Sequence, residues 1–262
     1  MKKVSNTICS LAIVLSLLAN TIHADETSTN KASRKPVKLP GMVIDFENRC
    51  VDLEATICLD KGLLELIACT KGSKEHESIV AVSSKAMHIH TALLLLGANN
   101  GNPAMRKQVG DDEKRWVNIP PRGDPIDVFL VTTNKDGKAT QRPISDFVVH
   151  SSQWLDEVDG EVIDAPKRSE KRADESEKRL PNTFLFAGSH LRDNGPGPRQ
   201  YLADFSGNAI SIVTFGDELL CLPFHQTQEN DALMWQVKPE SLPKTGTKVT
   251  LRLRPQRKEA HK

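Results

Sequence analysis

Between residues 69 and 90 the chain carries Cys69, Glu75, His76, Glu77 and Ser78 in "CTKGSKEHES", then His88 and His90 in "HIH". A thiol, three imidazoles and two carboxylates are the donor types from which metal sites and acid–base pairs are built. If "HIH" is a strand, His88 and His90 share one face. His76 or Cys69 then completes a three- or four-ligand site for a divalent metal, with Glu75 or Glu77 as a ligand or as a base toward metal-bound water. If it is a helix, residues two apart point about 200° away from each other, and only one of the two joins His76. The competing reading is a structural network of hydrogen-bonded polar residues around a helix start. The free N–H groups there, near Ser84 to Met87, could also hold a carboxylate or phosphate.

Other signatures fail on spacing. Ser189 stands beside His190, but strand neighbours face opposite ways and no G-x-S-x-G elbow exists. "GPGP" has no following helix and reads as a turn. Asp111 and Asp112 read as a solvated loop, and Trp116, Trp154 and Trp235 as packing residues.

The elements that must position these residues are mostly strands. In "CVDLEATICL", Val51, Leu53, Ala55, Ile57 and Leu59 alternate with Cys50, Asp52, Glu54, Thr56 and Cys58, the pattern of a half-buried strand. "LLELIAC" and "SIVAV" follow as strands. In "SSKAMHIHTALLLLGANNG" a serine cap, an apolar run and Gly97 predict a helix over 85–96, apolar on most sides and therefore buried. Later strands are expected at 126–133, 183–191, 199–205, 209–215, 218–223 and 248–255, separated by turns such as "RDNGPGP". The fold class expected is α+β, mainly antiparallel β with one buried helix near 85–96. The stretch 164–181 is dominated by charge, without an apolar stripe, and reads as a solvated insertion near 157–182.

Four cysteines lie beyond the N-terminal segment. Cys50 and Cys58 on one straight strand are too far apart to pair. Cys58 and Cys69 could be bridged if their connection is looser than a two-residue hairpin, which leaves Cys50 and Cys221 as a second pair or as free thiols. C-x7-C-x10-C is neither a zinc-ribbon nor an iron–sulfur spacing. No cofactor is predicted; a divalent metal stays open.

"CTKGSKEHESIVA", "HIHTALLLLGA" and "FAGSHL" resemble the YdjY-like domain family of functionally uncharacterised bacterial proteins. The resemblance covers about 40–255, with the charged stretch as an insertion. It implies no assigned catalytic residue. A ferredoxin-like label carried by some members does not transfer, because this chain has no C-x2-C-x2-C run.

Lys2 and Lys3, an apolar stretch from Ile8 to Ala19 and the small Ala24 read as a signal peptide over 1–24, too short to span a bilayer. Residues 25–39 read as a flexible linker, 40–255 as the domain and 256–262 as a polar tail. Without Lys2 and Lys3, 33 basic side chains of the 35 face 34 acidic ones, so no basic excess points to nucleic acid. The reading is an exported, periplasmic or secreted domain without an integral membrane segment, a non-catalytic binding or structural module for a small ligand or protein. A metal-assisted enzyme, such as a hydrolase using 69–78 with His88 or His90, is the alternative. Amino-terminal sequencing of the exported form should begin near Asp25; an intact Met1 form retained in the cytoplasm as the major species contradicts the leader.

Overall fold

Strands that alternate apolar and polar residues must bury one face, and a sheet long enough to curl can do so by closing on itself. The computed structural model describes residues 35–110, 115–133, 136–151, 179–225, 234–238 and 240–257. The strands are β1 (Val37–Leu39), β2 (Met42–Asp45), β3 (Cys50–Ile57), β4 (Leu66–Thr70), β5 (Ser78–Val82), β6 (Asn100–Asn102), β7 (Met105–Gln108), β8 (Trp116–Ile119), β9 (Arg122–Gly123) and β10 (Pro125–Thr133). They continue with β11 (Ala139–Pro143), β12 (Val148–His150), β13 (Thr183–Leu185), β14 (Leu191–Arg192), β15 (Gln200–Tyr201), β16 (Asn208–Ser211), β17 (Leu220–Cys221), β18 (Trp235–Val237) and β19 (Lys248–Pro255). Helices α1 (Ala86–Leu95) and α2 (Leu202–Ser206) complete the main elements.

Eight strands form a closed barrel in the order β3–β19–β10–β13–β17–β16–β4–β5, with β5 pairing back onto β3. Only β4–β5 and β16–β17 are parallel. Two strands change partner along their length. β3 meets β2 through Cys50–Leu53 and β5 through Ala55–Ile57. β10 meets β13 through Pro125–Asp127 and β11 through Phe129–Thr133. The β1–β2 hairpin and β11 therefore extend from the ring as flaps.

The barrel core follows from alternation. Along β19, Val249, Leu251, Leu253 and Pro255 are buried while Lys248, Thr250, Arg252 and Arg254 face outward. The inward set joins Leu53, Ile57, Ile79, Val128, Leu130, Phe184 and Phe186 in one apolar cluster. Outside, Arg252 donates from Nε and Nη2 to the two oxygens of Asp52 at 2.6 and 2.7 Å, clasping β19 to β3.

This corrects the expected α+β class. The protein is mostly β, and the one helix of more than two turns among the described residues is not buried. Helix α1 forms over the residues expected, but only Ala86, Ile89, Ala92 and Leu93 turn inward, while His88, Thr91, Leu94 and Leu95 are exposed. Apolar content does not measure burial, because a helix against one surface hides one stripe. Ser84 does not cap it: the first-turn cap position is Lys85, and Ser84 Oγ donates to Pro40 O at 3.2 Å. Gly97, at φ 84°, ends it as expected, with its N–H on Leu94 O and that of Ala98 on Leu93 O. The strand expected at 199–205 pairs only at Gln200–Tyr201 before the chain turns into α2. The leader, most of the charged insertion, Asp111, Asp112 and Trp154 lie outside the described residues. Among the described residues no helix is long and apolar enough to cross a membrane.

Leu251 is fully buried between β3 and β10. Leu251→Ala should lower the unfolding free energy by about 3 kcal/mol, and Thr250→Ala by no more than about 0.5 kcal/mol, read from urea midpoints.

Candidate functional site

β5 lies between β3 and β4, so Cys58 and Cys69 approach its outer face from opposite sides. Cys58 N donates to Ile79 O at 2.9 Å, continuing the β3–β5 ladder one residue past β3. Cys69 stands opposite Ala81 on β4. Both thiols join Leu66, Ala81 and Phe215 in a small apolar cluster separate from the barrel core. The loop after β4 closes over them. Ser73 Oγ donates to Thr70 O at 2.5 Å, Ser78 Oγ donates to Lys74 O at 2.7 Å, and Lys74 Nζ stands 3.5 Å over the Phe215 ring. Cys58 Sγ donates to Ser78 O at 3.1 Å.

The Cys69 sulfur is the common neighbour of the Cys58 thiol, the Ser78 and Ser73 hydroxyls and the Lys74 N–H. The Cys58 thiol is the largest influence and, with the other polar neighbours, outweighs burial, lowering the Cys69 pKa to about 6. Cys58 shifts the other way, because of the neighbouring Cys69 thiol and its dry surroundings.

The expected bridge between these cysteines is not formed; all four described cysteines are free thiols. The reason is topological. A disulfide needs Cα atoms within about 7 Å, and two strand spacings across β5 come to about 9.6 Å. Cys50 and Cys221 belong to β3 and β17, on separate parts of the ring.

The histidines do not assemble as ligands. His76 sits on the 3-10 turn Glu75–Glu77 with its side chain 78% exposed, 3.6 Å from Glu77 Oε2. Glu75 accepts from Gly72 N at 2.5 Å and so closes the turn. His88 faces outward on α1, and His90 lies on a different side, with Nδ1 2.9 Å from the Tyr201 hydroxyl. That hydroxyl donates to Gly188 O at 2.8 Å, and burial lowers the His90 pKa. Among the described residues no group of three His, Cys, Asp or Glu side chains is placed to hold a metal. At the helix start, Met87 N meets the chain's own carboxylate, Asp204 Oδ1, at 3.4 Å. Ser189 Oγ is occupied as well: it donates to Asp217 O at 2.6 Å and accepts from Ala203 N at 3.0 Å.

A second site was not foreseen. The β7–β8 hairpin and the segment Thr214–His225 enclose a cleft of about 790 Å3, lined by Met105, Ile119, Pro121, Phe215, Pro223 and Phe224, with Arg106 and His225 as its ionisable members. Behind it, Glu218 is fully buried in a recess too tight for water, beside Cys221. Glu218 Oε1 accepts from the N–H groups of Phe215 and Gly216, and Oε2 has no partner among the described residues. Burial, opposed by those bonds, raises its pKa, and burial with the nearby Glu218 carboxyl pushes the Cys221 thiol up. The one signal was an acid at the head of the apolar run "ELLCLP"; the hairpin strands carry no alternation strong enough to be read.

Residues 42–162 match the family model of the YdjY domain. This chain carries a YdjY domain. No curated protein and no solved structure matches the chain. The matched YdjY segment holds both thiols, the 3-10 turn, α1 and the hairpin wall of the cleft, whereas Phe215, Glu218 and Phe224 come from beyond it.

Glu218 ties pH to stability. Its folded-state pKa lies above the ordinary 4.5, so the folded protein holds this proton more tightly than the unfolded chain does. Its contribution is complete below the unfolded value and is lost as pH rises through the folded one. Glu218→Gln keeps an acceptor for the two N–H groups, and thermal melts from acid to neutral pH should show a shallower decline than the wild type; parallel curves contradict the assignment.

Proposed function

We propose that this YdjY protein is an extracytoplasmic, non-catalytic binding module, and that the cleft under the β7–β8 hairpin is where its ligand sits. One observation carries the reading: a space of about 790 Å3, walled largely by apolar side chains, with a cationic group among them. That volume and lining are those of small-molecule sites, in which apolar walls supply affinity and a few polar groups fix orientation.

The composition indicates the ligand class. Met105, Ile119, Pro121 and Phe224 favour an apolar body, and Arg106 with His225 favours an acidic or hydrogen-bond-accepting end. The backbone supports such a pocket. Gly123, at φ 147°, ends the return strand from the hairpin, and a Cβ there would fall 2.1 Å from Phe186 O, so the hairpin base lies directly on the barrel.

Anilinonaphthalene sulfonate, an apolar ring system with one anionic group, tests the reading. Its fluorescence should rise saturably with one site per chain. Ile119→Asp should weaken binding by about tenfold, roughly 1.4 kcal/mol, and Arg106→Ala by a smaller factor. Unchanged binding in Ile119→Asp places the dye elsewhere and removes the support for this cleft.

A further inference from the structure

On the outer face of the barrel, two neighbouring arginines of β19 are held very differently. Arg252 is matched by both oxygens of Asp52 and by Gln141 Oε1. Arg254, one pleat further along the same face, has no such partner. Asp127 of β10 stands directly opposite it in the ladder. Yet Asp127 Oδ1 accepts from Thr183 Oγ1 at 2.6 Å and from Gln256 Nε2 at 2.8 Å. Arg254 forms no ion pair among the described residues, and its Nε is buried there without a hydrogen-bond partner. Its guanidinium lies 5.2 Å from the centre of the Phe129 ring.

Arg254 lines a groove of about 510 Å3 where the turn between β2 and β3 meets the end of β19. Arg49, on that turn, lines it too, and its Nε is likewise buried without a partner among the described residues. Arg49 sits at φ 51°, a backbone conformation uncommon outside glycine. The turn before it is fixed by Asp45 Oδ1, which accepts from the N–H groups of Glu47 and Asn48 at 3.0 and 2.9 Å. Arg257 brings a third, exposed guanidinium. A shielded donor without an acceptor is costly, and a planar guanidinium fork matches a carboxylate. Two such donors at one groove point to an acceptor from outside the chain. Charge selects the kind. Against the three guanidinium groups stand the carboxylates of Glu47 and Asp127, which leaves one positive charge for one carboxylate. A phosphate dianion exceeds that charge and meets both acids. Among the described residues lining the groove, Pro255 alone is apolar, so the body of the ligand is hydrophilic.

We propose that Arg49, Arg254 and Arg257 form a binding site for the carboxylate of a small hydrophilic monoanion, in a groove that shares no residue with the apolar cleft. The test is a nuclear magnetic resonance titration of the full, nitrogen-15-labelled chain, read at the arginine Nε–H signals. Acetate is the probe, exchanged for chloride at constant ionic strength. The signals of Arg49 and Arg254 should move saturably with one common midpoint, while that of Arg252, already held by Asp52, stays in place. This wild-type titration needs no variant to fold. Arg254→Gln should raise the midpoint read at Arg49 by about tenfold, through loss of one charge-assisted partner, and Arg142→Gln, outside the groove, should leave it unchanged. Four results overturn the proposal: no saturable shift with acetate, an equal shift at Arg252, an unchanged midpoint in Arg254→Gln, or a tighter midpoint for inorganic phosphate than for acetate.

Discussion

The pairing of β5 back onto β3 is the contact on which the rest of the molecule depends. Ala55 meets Val82 and Ile57 meets Val80, and with those ladder bonds the sheet has no open edge along the ring. Closure removes the unpaired N–H and C=O groups that an edge presents, and it turns every inward residue toward one enclosed core. The flaps follow from the same contact. β3 is longer than its pairing with β5, so its first half is left for β2, and the β1–β2 hairpin peels away from the ring.

Closure also creates an outer layer with chemistry of its own. Because β5 is inserted between β3 and β4, residues distant in sequence meet over its outer face: Cys58 from the end of β3, Cys69 from β4, Ser73 to Ser78 from the covering loop, and Phe215 from the segment after β16. Phe215 is the shared element. It covers the thiols, carries the Lys74 ammonium on its ring and lines the cleft, while its N–H is held by Glu218. A buried carboxylate on a loop near the cleft is an expensive way to fix backbone unless that loop must hold one shape, and here it shapes both sites.

The extent of the family match takes on a structural meaning in this topology. Residues 42–162 contain β3, β4, β5 and β10, four of the eight barrel strands; β13, β16, β17 and β19 come later in the chain. The barrel thus interleaves the two parts, with β19 between β3 and β10, and neither part closes a ring alone.

Local alternation determined much by itself. Val51 to Ile57 and Lys248 to Pro255 are strands whose side chains alternate between core and surface, and the short apolar run Ser78 to Val82 is a strand buried at every position. The run ending at Gly97 likewise made a helix, and "CTKGSKEHES" was identifiable as chemically unusual. Tertiary structure decided the remainder. Whether α1 was buried depended on what lay against Ala86 and Ile89, which composition does not contain. Whether Cys58 could bond Cys69 depended on β5 entering between their strands, and His76 was turned to solvent by a 3-10 turn that its ligand-like neighbours could not reveal. The cleft was invisible because Met105 and Phe224 are far apart in the chain, and only the folded barrel brings their segments to one wall. A sequence specifies strand faces through local side-chain alternation; which strands become neighbours is settled by closing the whole ring, and sites made of neighbours are settled with it.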